Sequence, residues 1–255
     1  YNIMSTYDDA SLILYPSGYK EDKLYSLKPT DGSGDLTFTR ASTATRVNAE
    51  GLIETSPVNL LQQSETFGTS PWVMASGAGI SGNSTTAPNG TTTADTLNVV
   101  ATAYSGIYNL FGVTDGQCNA TVFAKKGTKN YLYILDIAAS TAKAWYNLDT
   151  GVVGTVVGGY TATMESVGNG WYRCSLVDTR TGTAYLYIGA SDSDNSVTPS
   201  SSGSIYLWGA QVNIGATAKP YFPTTTRFNL ARVDYKDNVN GSLLLEPQRT
   251  NYIPY

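Results

Sequence analysis

A chain of 255 residues that is 41% apolar and only 14% charged, with 25 glycines, has the material for a core of ordinary size but lacks the Ala, Leu, Glu and Lys excess of a helical protein. The net charge of −4, spread without a long basic or acidic run, excludes the electrostatic footprint of a nucleic-acid binder, and no apolar run approaches the ~18 residues of a membrane-spanning helix. Histidine is absent, which removes the commonest general base, the usual zinc ligand and any Ser–His arrangement.

The chain opens at Tyr1 without an initiator Met or a signal-peptide pattern, as a fragment or processed product would. Residues 1–56 read as an N-terminal connector: a short strand at 11–15, a turn at 16–18, a solvated stretch at 20–28 and a flexible joint at 31–35. Leu36 and Phe38 alternate with Thr37 and Thr39 as in a half-buried strand, and Ala49-Glu50-Gly51 forms a turn before Leu52-Ile53. Arg40 and Arg46 have the chemistry of phosphate or carboxylate ligands, although in a Thr-rich strand arginines more often anchor backbone or a neighbouring subunit. The phrase PVNLLQQSETF at 57–67 has a counterpart in EPQRTNYIPY at 246–255, as a tandem array would show.

Between these phrases lies a succession of strand patterns: 91–100, 105–113, 117–125, 131–137, 141–148, 152–157, 161–167, 171–177, 184–190 and 204–212. Their spacing, punctuated by Gly, Asn, Asp and Ser, predicts an all-β protein, an antiparallel jelly-roll β-sandwich spanning 57–223 with extended N- and C-terminal connectors. Residues 224–255 form the second connector. Cys118 and Cys174 sit in strands as small buried hydrophobes rather than as a disulfide framework. Asp192, Asp194 and Asn195, in the polar loop 191–203, offer hard oxygen ligands for calcium but lack a calcium loop's spacing, which favours an ordinary solvated loop.

No catalytic constellation emerges, and no cofactor is implied. The acids Asp136, Asp149, Glu165 and Asp178 fall at strand ends and turns, where carboxylates are routine. Aromatic residues say more, with 19 Tyr and 4 Trp against 6 Phe. Pairing 131–137 with 141–148 around a turn at 137–141 sets Tyr133 opposite Trp145, Tyr131 opposite Asn147 and Leu135 opposite Lys143, all on one face. Leu132, Ile134, Ala144, Tyr146 and Leu148 take the other face as core. Tyr131, Tyr133, Lys143, Trp145 and Asn147 then form a surface suited either to stacking on a glycan with a few hydrogen bonds or to packing against a neighbouring subunit or the module's own loops. Trp72 covers an end of the core, and Trp171 and Trp208 are structural.

Six phrases in consistent order carry a resemblance: FTRASTATRVNAEGLIE at 38–54, NLLQQSETF at 59–67 followed by Trp72, YNLDTG at 146–151, GNGWYRCSL at 168–176, WGAQV at 208–212 with PYFPTTT at 220–226, and RVDY at 232–235 with SLLLEPQRTN at 242–251. The chain resembles the carbohydrate-binding-like modules of tailed-phage appendage proteins, of the tail-fibre, receptor-binding and head-fibre types. The resemblance implies a non-enzymatic virion surface component, assembled in the host cytoplasm, often trimeric, with other virion proteins and host cell-surface glycans as partners. Its pattern normally continues past EPQRTN into a further module. A purely structural fibre connector is the alternative, and part of a polysaccharide depolymerase a third. The family shares no fixed set of ligand residues, so the site rests on the hairpin alone.

Overall fold

The computed structural model describes residues 6–20, 23–38, 44–56, 58–135, 143–225, 232–237 and 239–244. Arg40, Asp136, the turn at 137–141 and the repeated phrase at 246–255 lie outside them. The chain divides into two compact units, Val58–Phe228 and a second made of Tyr1–Pro57 together with Asn229–Tyr255.

In the smaller unit a single turn of helix, α1 (Thr6–Asp9), precedes an antiparallel sheet of β1 (Ile13–Lys20), β2 (Lys23–Lys28) and β3 (Leu36–Thr37). Two readings are corrected here. The turn expected at 16–18 is a bulge inside β1, between the pairs Leu14↔Ser26 and Tyr19↔Leu24, because a strand on a sheet edge accommodates proline where a central one cannot. The stretch 20–28, read only as solvated, is from Lys23 the strand β2: Tyr25 and Leu27 are exposed in it as expected, but Leu24 is buried. β4 (Thr45–Val47) and β5 (Ile53–Thr55) then form a hairpin whose turn is closed by Asn48 Oδ1, which accepts from the N–H groups of Glu50 and Leu52.

The larger unit is an antiparallel jelly-roll β-sandwich, as the strand pattern predicts. Its strands are β6 (Val73–Ala75), β7 (Gly79–Thr85), β8 (Ala94–Val99), β9 (Gly106–Lys126), β10 (Tyr131–Leu135), β11 (Lys143–Asn147), β12 (Val152–Val157), β13 (Thr161–Gly168), β14 (Trp171–Ser191) and β15 (Gly203–Ile214). The sequence suggests four strands where β9 and β14 are two. Both run for 21 residues and pair with each other throughout, from Trp171↔Lys125 to Gly189↔Gly106. Gly116 and Gly182 look like chain breaks, but the strands bend there without parting, and the one register shift lies between Arg180 and Gly182.

One end of this long pair belongs to a layer completed by β10, β11, β12 and β6, and the other end to a layer completed by β13, β15, β8 and β7. Alternate residues meet between the layers. Ile107, Leu132, Ile134, Tyr146, Leu186 and Ile188 from the first face Val122, Cys174, Leu176, Ile205, Leu207 and Val212 from the second in one buried cluster. Cys118 and Cys174 are both buried, and burial pushes the Cys174 thiol up. Trp72 is buried with its ring 4.9 Å from Phe67.

The tract after β15 folds back across the outer face of the second layer. Asn119 Nδ2 donates to Ala216 O at 2.9 Å, Asn213 Nδ2 to Thr217 O at 3.0 Å, and Gln211 Nε2 and Arg173 Nη2 both to Lys219 O, so side-chain amides stand in for a neighbouring strand. Tyr221 lies 4.9 Å from Trp208 and 5.7 Å from Phe123, ring to ring. The tract then joins the opening phrase: Ser64 N donates to Thr224 O at 3.0 Å and Gln63 N to Thr225 O at 2.9 Å.

Asn59 fastens the same clasp from beneath. Its Oδ1 accepts from Leu61 N and Val212 N, each at 3.1 Å, while its Nδ2 donates to Ala210 O at 3.1 Å. Returning to the smaller unit, β16 (Val233–Asp234) and β17 (Ser242–Leu243) form a second hairpin that joins the first. Val47 N donates to Asp234 Oδ2 at 2.9 Å and Tyr235 N to Val47 O at 3.0 Å. Arg46 anchors backbone there, donating to Val233 O while its guanidinium pairs with Glu54 at 2.8 Å.

Asn59 is fully buried, so Asn59→Ala strands two N–H donors and a carbonyl away from water. At about 1–3 kcal/mol per orphaned group, urea titration is expected to show a loss of roughly 3 kcal/mol with an unchanged m-value.

Candidate functional site

The alternation that sends Ile107, Leu186 and Ile188 inward sends Tyr108, Leu110, Tyr185 and Tyr187 to the outer face of the first layer. The hairpin register places Tyr131 opposite Asn147, Tyr133 opposite Trp145 and Leu135 opposite Lys143, as the sequence predicts. β14 then continues the row: Tyr187 lies opposite both Leu135 and Tyr108, and Tyr185 opposite Leu110. Five tyrosines and a tryptophan therefore share one sheet face. Tyr187 stacks nearly parallel on Tyr108 at 6.0 Å and on Tyr133 at 6.4 Å, and Tyr108 meets Tyr185 edge to face at 5.6 Å.

Half of this face is covered by the module's own loops, one of the two arrangements the sequence allows. Trp145 Nε1 donates to Ser196 O at 2.7 Å, and Tyr133 OH to Ser105 O at 3.1 Å. Tyr187 OH donates to Tyr104 O, and Tyr104 N donates to Val197 O at 2.9 Å, which ties the 100–105 turn to the 191–203 loop. Trp145 is 2% exposed and Tyr133 0%, so neither ring is open to stacking. Gly189 lies so close beneath Tyr133 that a Cβ there would sit 2.1 Å from the ring. Tyr131, Lys143 and Asn147 are half-buried at the margin. Asn147 serves the adjacent turn: its Oδ1 accepts from Asp149 N and Thr150 N while its Nδ2 donates to Tyr131 OH at 3.1 Å.

The acids of the loop act as fasteners. Asp192 pairs with the buried Lys129 at 2.6 Å and accepts from Ser200 N, and Asp194 accepts from Thr155 N at 2.9 Å and Thr155 Oγ1 at 2.8 Å. No cluster of three or more His, Cys, Asp or Glu side chains that could hold a metal occurs among the described residues. The other acids are not brought together: Asp149 pairs with Lys126, Asp178 with Arg180, and Glu165 lies opposite Arg173.

Beyond the loops the face opens. Leu110 and Tyr104 are each 42% exposed, Val73 is exposed beside Tyr108, and Tyr108 and Tyr185 are half-buried. Tyr104 stands at the edge of this opening, its ring 6.5 Å from Tyr187 and nearly perpendicular to it. Its backbone is left-handed, with φ of 59°. A bulky residue in that region costs about 1–3 kcal/mol and persists only where its surroundings fix it. Here the carbonyls of Tyr104 and Ser105 each accept a tyrosine hydroxyl, and Gly106 runs so close to β14 that a Cβ would meet Ile188 O at 2.4 Å.

Tyr104, Tyr108, Tyr185 and Tyr187 were not singled out from the sequence. The signal was present in SGIYNLFGV and AYLYIGA, where tyrosines alternate with core residues, but it needs the β9–β14 register to bring them together. The open patch offers flat apolar rings with hydroxyl edges, and its described side chains carry no charge.

Neither a protein-family model nor a curated protein matches this chain. Among solved structures it is similar to the carbohydrate-binding module TmCBM61, described in complex with β-1,4-galactotriose, at 11% identity and a TM-score of 0.37, covering 62% of this chain and 99% of that one.

Burial, reinforced by Tyr108 and Tyr104, pushes the Tyr187 hydroxyl from 10.0 up to about 12, and burial raises Tyr133 further. A raised phenol pKa leaves stability intact below the unfolded value and removes it as pH climbs through the folded one. Melting temperature is therefore expected to fall between about pH 10 and about pH 12, and to fall less over that interval in Tyr187→Phe, as read by circular dichroism against pH.

Proposed function

We propose that this chain is a structural appendage protein of a phage virion whose jelly roll binds glycans on the host surface, each site weakly and many copies together usefully. The observation that carries the reading is the open end of the tyrosine face, where Tyr104, Tyr108 and Tyr185 present uncharged aromatic rings beside Leu110 and Val73. Tyrosine suits this task because its ring meets the C–H face of a pyranose while its hydroxyl remains available to the sugar's own. The resemblance of six phrases, in order, to phage appendage modules supplies the setting: the virion surface, other virion proteins and a homotrimer as partners, and adhesion rather than catalysis as the task. Millimolar single sites hold a particle once several engage together.

The glycan surface proposed from the hairpin is accordingly shifted along the same face. Tyr131, Lys143 and Asn147 form its half-buried margin, and Tyr133 and Trp145 support the loops that bound it. A purely structural connector is the second reading, favoured by the burial of Tyr133 and Trp145 under the chain's own loops.

Arrays of bacterial surface polysaccharides probed with the full chain are expected to give retention that drops about tenfold in the Tyr108→Ala, Tyr185→Ala double variant, since two aromatic contacts together amount to about 1.4 kcal/mol or more. Absence of wild-type retention on every polysaccharide overturns adhesion in favour of the connector.

A further inference from the structure

We infer that the carboxylate of Asp194 is a guard on the free edge of β12, and that it keeps this strand from pairing with the β12 of a second copy. The inference does not depend on the glycan-binding reading. A sheet edge presents unpaired N–H and C=O groups to any strand that approaches, and folds blunt such edges with charge, polarity, bulges or brevity. Among the described residues the strands that end the two layers are β12, β6, β13 and β7. β6 is only three residues long, β13 carries the exposed Glu165, and β7 is polar where it is exposed, at Ser81, Asn83 and Ser84.

β12 differs from the other three. It reads VVGTVV, β-branched and without proline, is exposed at both ends in Val152 and Val157, and lies in a stretch, 150–164, that carries no charge. Such a segment on an edge is a template for self-pairing. Among the described residues it pairs with β11 alone, through Lys143↔Val157, Ala144↔Val156, Tyr146↔Val153 and Asn147↔Val152. Two copies of an uncharged strand meet antiparallel about a two-fold axis with no like charges opposed.

The charge that β12 lacks is brought to it from the 191–203 loop. The ladder with β11 shifts between Ala144 and Tyr146, and Gly154 and Thr155 fall in the gap. There Thr155 N donates not to β11 but to both oxygens of Asp194, at 2.9 and 3.1 Å, and Thr155 Oγ1 donates to Asp194 Oδ2 at 2.8 Å. The carboxylate lies so close over Gly154 that a Cβ at that position would stand 2.4 Å from Asp194 Oδ1. A strand docking on this edge must evict the carboxylate from Thr155 or bury it beneath itself, and burying a carboxylate costs more than a backbone hydrogen bond returns. The loop has anchors of its own in the Asp192–Lys129 pair, the Trp145 bond to Ser196 O and the Tyr104 bond to Val197 O, which leaves the edge of β12 as what Asp194 serves.

Sedimentation velocity over a wide range of concentration compares wild type, Asp194→Ala, Asp192→Asn, and Asp194→Ala combined with Val152→Lys. The average mass of Asp194→Ala is expected to climb with concentration to about twice that of wild type, as two-fold strand pairing requires. Adding Val152→Lys, which puts a charge on the exposed end of the edge, is expected to return the mass to the wild-type value. Asp192→Asn, which frees the same loop from Lys129 but leaves Asp194 in place, is expected to keep the wild-type mass throughout. Three results overturn the inference: Asp194→Ala that follows wild type; association in Asp192→Asn equal to that in Asp194→Ala, which assigns it to loop opening; and association that persists with Val152→Lys, which assigns it to another surface or to unfolded chains.

Discussion

The long antiparallel pair of β9 and β14 is the constraint on which the rest of the sandwich depends. Because the two strands stay paired through both layers, with a single register shift at the bend, alternating side chains of the same pair supply core to each, and the layers cannot slide without breaking the pair. The bend that folds the pair on itself is braced from within. Arg180 lies between Asp178 Oδ1 at 2.5 Å, the Tyr185 carbonyl at 3.1 Å and the face of Phe111 at 5.0 Å, with both charged partners buried. A buried ion pair is weak evidence of stability but a strong specifier of geometry, and geometry is what the corner requires.

That same pair composes the tyrosine face. Tyr108 comes from one strand and Tyr185 and Tyr187 from the other, so the face exists only in this register; a shift by one residue would turn Ile107 and Leu186 outward. Loops then bind to the face through it rather than beside it. The hydroxyls of Tyr133 and Tyr187 reach past their own rings to the carbonyls of Ser105 and Tyr104, which fixes the turn, and the turn fixes the 191–203 loop through Val197. Core, face and loops form one chain of consequence, and the left-handed backbone of Tyr104 lies where it ends.

Local pattern made most of the sandwich strands legible, though not β6 or β7, and pairing of near neighbours made the β10–β11 hairpin legible down to the register of Tyr133 with Trp145. Contacts distant in sequence were not. Nothing near Trp145 announces that Ser196 will cover it, and nothing near Tyr108 announces Tyr185, 77 positions further on, as its neighbour. Glycine misled in the opposite direction: Gly116 and Gly182 carry the signature of a turn, yet β9 and β14 stay paired with each other on either side of both positions, so the ladder holds the chain together and the glycine only lets it bend. The phrases NLLQQSETF, WGAQV and PYFPTTT proved more coherent than their separation suggests, since Asn59, Ser64, Ala210, Val212 and Thr224 meet in a single clasp.

The covered half of the face bears directly on how the open half can bind. An exposed tyrosine free to rotate loses conformational entropy when a ligand orders it, about 0.5–1.5 kcal/mol for each such side chain. Tyr108 has little of that freedom left, being stacked on Tyr187, which is stacked on Tyr133, which is pinned by its hydroxyl and by the close backbone of Gly189. Burial of Tyr133 and Trp145 therefore removes them as contacts and gives the exposed rings a rigid backing in exchange. For the proposed glycan surface, which would gain only modest energy from each sugar, order built in before contact is the larger share of what the fold can contribute.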